Sequence, residues 1–159
     1  MLKPESLRKH LATAIPELAR NPDQLLVFID NGSLASTAAD GLSFEYRYTL
    51  NLILTDYAGH PDTVMVPLLI WIGIHQNELL ANPGNRSAIA FDADLLANDK
   101  VDLSIRLPLT ERVGVHPRDG GGYNIEHYPE PQPEAYLTAE NWQLYLQGQL
   151  LMEWSIPPR

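Results

Sequence analysis

Apolar and polar positions along this chain of 159 residues sort into two periods. Near the start, Leu7, Leu11, Ile15 and Leu18 recur at helical spacing, while Lys3, Arg8, Lys9 and Glu17 fall on the other faces. Pro4 suits a first helical turn. The spacing predicts one amphipathic helix over residues 5–20, irregular at Pro16 and stopped by Asn21-Pro22-Asp23. The apolar run 25–29 reads as a buried strand closed by Asp30-Asn31-Gly32, with residues 34–40 a loop. Phe44, Tyr46, Tyr48, Leu50, Leu52 and Leu54 then hold every even position, with Ile53 the single apolar exception between them. A period of two sustained that far predicts a strand with one face on a core and one face wet.

Pro61-Asp62-Thr63 opens a second predicted helix, ended by Asn82-Pro83-Gly84. Val64, Leu68, Trp71, Ile72 and Leu79 form its inner stripe, with His75 in the same row, and Met65, Val66, Leu69 and Ile70 leave it apolar nearly all round. Such a helix is central to its own domain or covered by a partner. Ile89, Phe91, Ala93 and Leu95 alternate again, as do Val101, Leu103, Ile105, Leu107 and Leu109, across a turn at Ala97-Asn98-Asp99-Lys100. Val113 and Val115 continue outward, a glycine-rich tip occupies 117–122, and Tyr123, Ile125 and His127 return as a partner strand. The order predicts an α+β fold, a mostly antiparallel sheet with two helices packed on it.

Residues 1–128 read as that domain, 129–134 as a proline-rich linker and 135–159 as a C-terminal β-hairpin arm. Proline at every second position from Pro129 to Pro133 predicts an extended, semi-rigid spacer. Beyond it, Trp142-Gln143-Leu144-Tyr145-Leu146 and Gln149-Leu150-Leu151-Met152-Glu153-Trp154 flank Gln147-Gly148, which reads as a hairpin turn. An isolated hairpin is marginal in water, so this one docks on something, its own domain or another chain.

Net charge is −9, which argues against a surface built to grip nucleic acid. There are no cysteines, so disulfide frameworks, thiolate zinc sites and thiol nucleophiles are excluded. The longest nearly continuous apolar run, 64–74, contains Pro67 and falls well short of the ~20 residues of a spanning helix, so no membrane partner is expected. The first residues carry no apolar leader, which predicts synthesis and folding in the cytoplasm.

Candidate chemistry is sparse. His116, Asp119 and His127 flank the glycine-rich tip and are the best metal-binding constellation, the basis of an alternative reading as a small metal-dependent hydrolase. The plainer reading makes them solvated loop residues. Gly120-Gly121-Gly122 has no Lys-Ser/Thr after it and is not a phosphate loop. Ser33, Ser36 and Ser43 sit in no glycine elbow. No cofactor and no catalytic residue is assigned. The all-round apolar helix and the hairpin on its spacer point instead to an interaction protein.

Several separated blocks then carry a resemblance. They are Met1-Leu2-Lys3-Pro4-Glu5-Ser6-Leu7-Arg8, Asn21-Pro22-Asp23, Phe28-Ile29-Asp30-Asn31-Gly32-Ser33-Leu34-Ala35-Ser36-Thr37, Leu42-Ser43-Phe44-Glu45-Tyr46-Arg47-Tyr48-Thr49-Leu50-Asn51, Val66-Pro67, Val101-Asp102-Leu103-Ser104-Ile105 and Leu109-Thr110-Glu111-Arg112. In this order, from residue 1 to about 115, the chain resembles the tail completion protein R (GpR) family of Peduovirus-type contractile-tailed phages. The resemblance implies a structural virion protein without catalysis, in a phage tail or a headless R-type pyocin-like particle. It implies a terminator or collar ring at the head-proximal end, by analogy a hexamer of α+β subunits. Its expected partners are further copies of itself, the tail tube and sheath, a second completion protein and the head–tail connector. DNA would pass an acidic lumen without specific binding. An adaptor at the head–tail joint is the nearer alternative. The second helix and the strand 44–54 are candidate surfaces, and Trp142, Leu144, Leu146, Leu150, Met152, Trp154, Glu111 and Arg112 are the candidate subunit or sheath contacts.

Overall fold

The computed structural model describes residues 1–36, 41–96, 99–131 and 140–156. Its centre is a curled antiparallel sheet with strand order β1-β2-β4-β3, formed by β1 (Leu25–Ser36), β2 (Phe44–Tyr57), β3 (Ala90–Leu95) and β4 (Val101–Pro117). A fifth strand, β5 (Tyr123–His127), pairs with the far half of β4, on the stretch Val113–Pro117. The predicted alternation holds in the two central strands. Tyr48, Leu50, Leu52 and Leu54 of β2 and Leu103, Ile105, Leu107 and Leu109 of β4 bury one face of the sheet. Against that face lie α1 (Lys3–Ala14) and α3 (Asp62–His75), tied together by Trp71 Nε1–H donating to Ser6 Oγ at 3.1 Å and by His10 Nε2, 3.0 Å from the Pro67 carbonyl.

The first helix is two helices rather than one. Ile15 is extended (φ −109°, ψ 103°) between α1 and α2 (Pro16–Arg20), because proline has no N–H to continue the ladder and pushes its predecessor out of the helical region. The strand predicted to close at Asp30-Asn31-Gly32 instead continues to Ser36. Asn31 has a positive φ of 51°, but it sits at a register shift between Asp30 and Ser33, so the extra residues form a bulge and not a turn. Residues 37–40 of the predicted loop lie outside the described residues, as do Ala97 and Asn98 of the β3–β4 turn. The second helix also divides: α3 stops at His75, and α4 (Glu78–Ala81) follows after Gln76, whose side chain is fully buried. Its stripe of Val64, Leu68, Trp71, Ile72 and Leu79 is inside as predicted.

β3 corrects the reading more deeply. Phe91, Ala93 and Leu95 pair with Ile105, Leu103 and Val101 and so continue the core face. Yet Phe91 is 59% exposed and Leu95 87%, for they lie on an end strand of the sheet that the buried core does not take in.

The C-terminal hairpin is present as β6 (Asn141–Leu146) and β7 (Gln149–Ser155). Gln147 and Gly148 both adopt positive φ, the geometry of a two-residue turn matched to strand twist. Met152 and Trp154 join the core on the side of α1. The all-round apolarity of α3 thus has a cause within the chain, since nine of its residues are buried in a core that sheet and hairpin share. The start of the proline-rich segment is also tied down. Tyr128 N–H donates to the Arg112 carbonyl at 3.0 Å, and Glu130 pairs with Lys3 at 2.9 Å. Residues 132–134 of the linker lie outside the described residues.

Candidate assembly interface

Hairpin register decides which candidate contacts remain free. Trp142 pairs with Trp154 and Leu144 with Met152, putting all four on the face turned toward the helices. Met152 and Trp154 are buried, Trp142 and Leu144 half-buried, and the two indoles stack with centroids 6.1 Å apart. Neither indole N–H has a hydrogen-bond partner among the described residues. Trp154 and Ile156 line a groove of about 400 Å³ with Leu2, His10 and Trp71. Beyond a bulge between Leu144 and Tyr145, the hairpin turns Tyr145, Leu146 and Leu150 to solvent. Four of the six hairpin candidates therefore pack wholly or partly on their own chain, and Leu146 and Leu150 are the two that point outward.

Glu111 and Arg112 part company because successive strand residues face opposite ways. Arg112 is exposed on the outer face. Glu111 is only 4% exposed and is not on a surface where it could bridge to a neighbour. Its carboxylate accepts from Tyr48 Oη–H at 2.5 Å, from Leu2 N–H at 2.7 Å and from Lys3 N–H at 3.3 Å. It thereby caps the amino end of α1 with a charge from β4. His127 Nδ1 stands 3.3 Å from Glu111 Oε2 but makes no aligned hydrogen bond. Burial alone would raise the Glu111 pKa. The bonds from Tyr48, Leu2 and Lys3, with the N-terminal ammonium, outweigh it and hold the carboxyl below its ordinary value. Burial, and then the bond to Glu111 and its charge, push the Tyr48 hydroxyl up.

Lys3 completes this junction. Its Nζ donates to Gln76 Oε1 at 2.7 Å, to the Thr110 carbonyl at 2.6 Å and to Glu130 Oε1. Gln76 Oε1 also accepts the Thr110 N–H at 3.1 Å. Along β4, residues 107–112 have neither β3 nor β5 beside them. Two side chains stand in for the missing strand there, and Pro108 carries no donor to satisfy. Sequence reasoning placed Lys3 only among residues off the apolar stripe and missed Gln76 and Glu130. The available signal was Glu111 itself, an acid at an odd position in a strand whose odd positions are otherwise apolar.

The metal constellation does not assemble. His127 pairs with Val113 on the inner face, while His116 belongs to the outer face, 2.9 Å from the Tyr128 hydroxyl and 3.7 Å from Glu126. Two imidazoles on opposite faces cannot meet one cation. Among the described residues no group of three His, Asp or Glu side chains could hold a metal. Gly114 lies under the Tyr128 ring, where a Cβ would overlap the hydroxyl, so a side chain there would displace the His116–Tyr128 pair. Of the two other candidate surfaces, α3 is mostly buried but leaves Leu69 exposed, and β2 has strands on both edges.

The family model described as P2 phage tail completion protein R (GpR) matches residues 1–131. The chain is 43% identical over 155 residues to tail completion protein R of Escherichia phage P2, covering 97% of this chain and 99% of that one. No solved structure matches it. The matched family is one of structural tail proteins and not of enzymes. The model match over most of the chain and the nearly end-to-end relative both place this chain in the P2 phage tail completion protein R family.

Proposed function

We propose that the chain is the tail terminator of a contractile particle. Copies close into a ring, a hexamer by analogy with other terminators, on the head-proximal end of the tube. The ring caps tube and sheath and presents the surface to which the second completion protein and the head connector attach. In a headless particle it is simply the upper cap. The observation that carries this reading is that, among the described residues, the sheet ends in two unlike strands, β1 and β3, on a chain of a tail-completion family. Unlike ends joined head to tail close by rotation, whereas a self-complementary patch stops at a dimer. The net charge of −9 suits a lumen through which DNA passes without sticking.

The outward hairpin residues Leu146 and Leu150 are the part reserved for sheath or neighbour. Replacing both by Lys leaves Met152 and Trp154 in place, so the melting temperature should stay within a degree or two of the unmodified chain. Particles built with this double variant should carry uncapped or unstable tails when the collar is imaged. Normal tails from a stable variant remove the hairpin from the interface. Finding the chain on connectors but never on headless tails replaces the terminator reading with the adaptor.

A further inference from the structure

The two ends of the sheet differ in a way that selects how copies meet. β1 opens with Leu25-Leu26-Val27-Phe28-Ile29, five apolar residues in a row on a strand with no further strand on its outer side among the described residues. An end strand without Lys or Pro is an unprotected template for pairing, which soluble monomers avoid. At the other end, the exposed Phe91 and Leu95 continue the core face of β3, and Tyr123 and Ile125 of β5 are exposed on the same side of β4.

From these ends we propose, resting on the ring reading above, that β1 of one copy takes β3 of a second copy as its next strand. Direction fits. β1, β2, β4 and β3 alternate antiparallel, so the end strands run oppositely, and copies set edge to edge in one orientation pair antiparallel. Length fits, since β3 has 6 residues and β1 runs unbroken over 25–30 before its bulge. The faces fit as well. Leu25, Val27 and Ile29 oppose Leu54, Leu52 and Leu50 on the helix side, so an added β3 carries Phe91, Ala93 and Leu95 onto that same side.

Arg8 of α1 donates to the Leu25 carbonyl at 3.0 Å, so the helix overhangs this edge and can roof the incoming strand. A symmetric pair of two β3 edges would set Asp92 and Asp94 against their own copies, and Arg106 is already bonded to Asp92 at 2.7 Å.

The test uses two full-length variants, Phe91→Lys and Phe28→Lys, each altering one exposed end, with native mass read in solution and on purified tails. Each variant should lose self-association by at least about 30-fold, the scale of a central interface residue, with unchanged melting. Mixed together they should form dimers and stop there, because each retains one good edge. Should either Lys lower the melting temperature, Phe91→Thr and Phe28→Thr keep strand propensity and take its place. Variants that still ring at the wild-type mass, or a mixture that stays monomeric, overturn this pairing while the ring reading stands. A wild-type chain that is monomeric in solution and forms no ring on tails overturns both.

Discussion

Glu111 shows what one residue can decide. A buried carboxylate is tolerable only when its lone pairs are filled and its charge is answered. Here Tyr48 and two α1 backbone N–H groups fill them. Replacing Glu111 by Gln should cost about 2–4 kcal/mol at neutral pH, because it removes the charge and turns an acceptor into a donor facing donors. The pH dependence follows from the direction of its shift. The folded pKa lies below the ordinary value, so the stabilisation is complete above the unfolded pKa and fades as pH falls through the folded one. The gap in melting temperature between wild type and Glu111→Gln should therefore narrow between pH 7 and about pH 3. A gap independent of pH would show that the charge does not act. This residue was half legible, since its place in the inward series of β4 was visible. That its partners were Leu2, Lys3 and Tyr48 was not, because nothing local in a strand records which distant backbone ends above it.

At the scale of elements, period identified type well and boundaries less well. The strands β2 and β4 and the hairpin turn at Gln147-Gly148 follow from alternation and turn chemistry. The break at Ile15 came from a local conflict, the proline after it, whereas at Gln76 the chain leaves the helix where a buried amide bonds to Lys3 and Thr110. The hairpin is the element whose fate was open. A two-stranded ribbon cannot hold itself, and Trp154 on the helices is what anchors it here. Trp154→Ala should lower stability by about 3–5 kcal/mol in denaturant titration, while Leu150→Lys on the outer face should stay within about 0.5 kcal/mol. Equal, small effects would mean that the hairpin does not dock on its own chain in solution.

For the whole molecule, charge and apolar surface pull against each other. Chains of net charge −9 repel, while uncovered strips at the sheet ends attract. Association of copies should therefore strengthen severalfold as salt rises from about 0.05 to 0.3 M, as screening weakens repulsion and leaves the apolar contact intact. Sedimentation at both salt concentrations reads this directly. A complex that loosens with salt would be held by ion pairs and not by the faces described above.

The sequence by itself determined the α+β class, the type of nearly every element, the antiparallel partners around short turns, and, through its ordered blocks, the family. Those are properties of neighbours along the chain: a period of two or 3.6 reports which residues share a face. Only the tertiary structure decided what covers each face. It put a hairpin over α1, a Gln and a Lys where a strand was missing and Glu111 inside, and left Phe91 and Leu95 exposed among the described residues. The physical reason is that alternation makes a face apolar but does not place a cover on it, and covering is settled by segments far away in sequence. The alternating positions of β2 and those of β3 look alike in sequence, yet helices lie over the core face of β2 while that of β3 is bare.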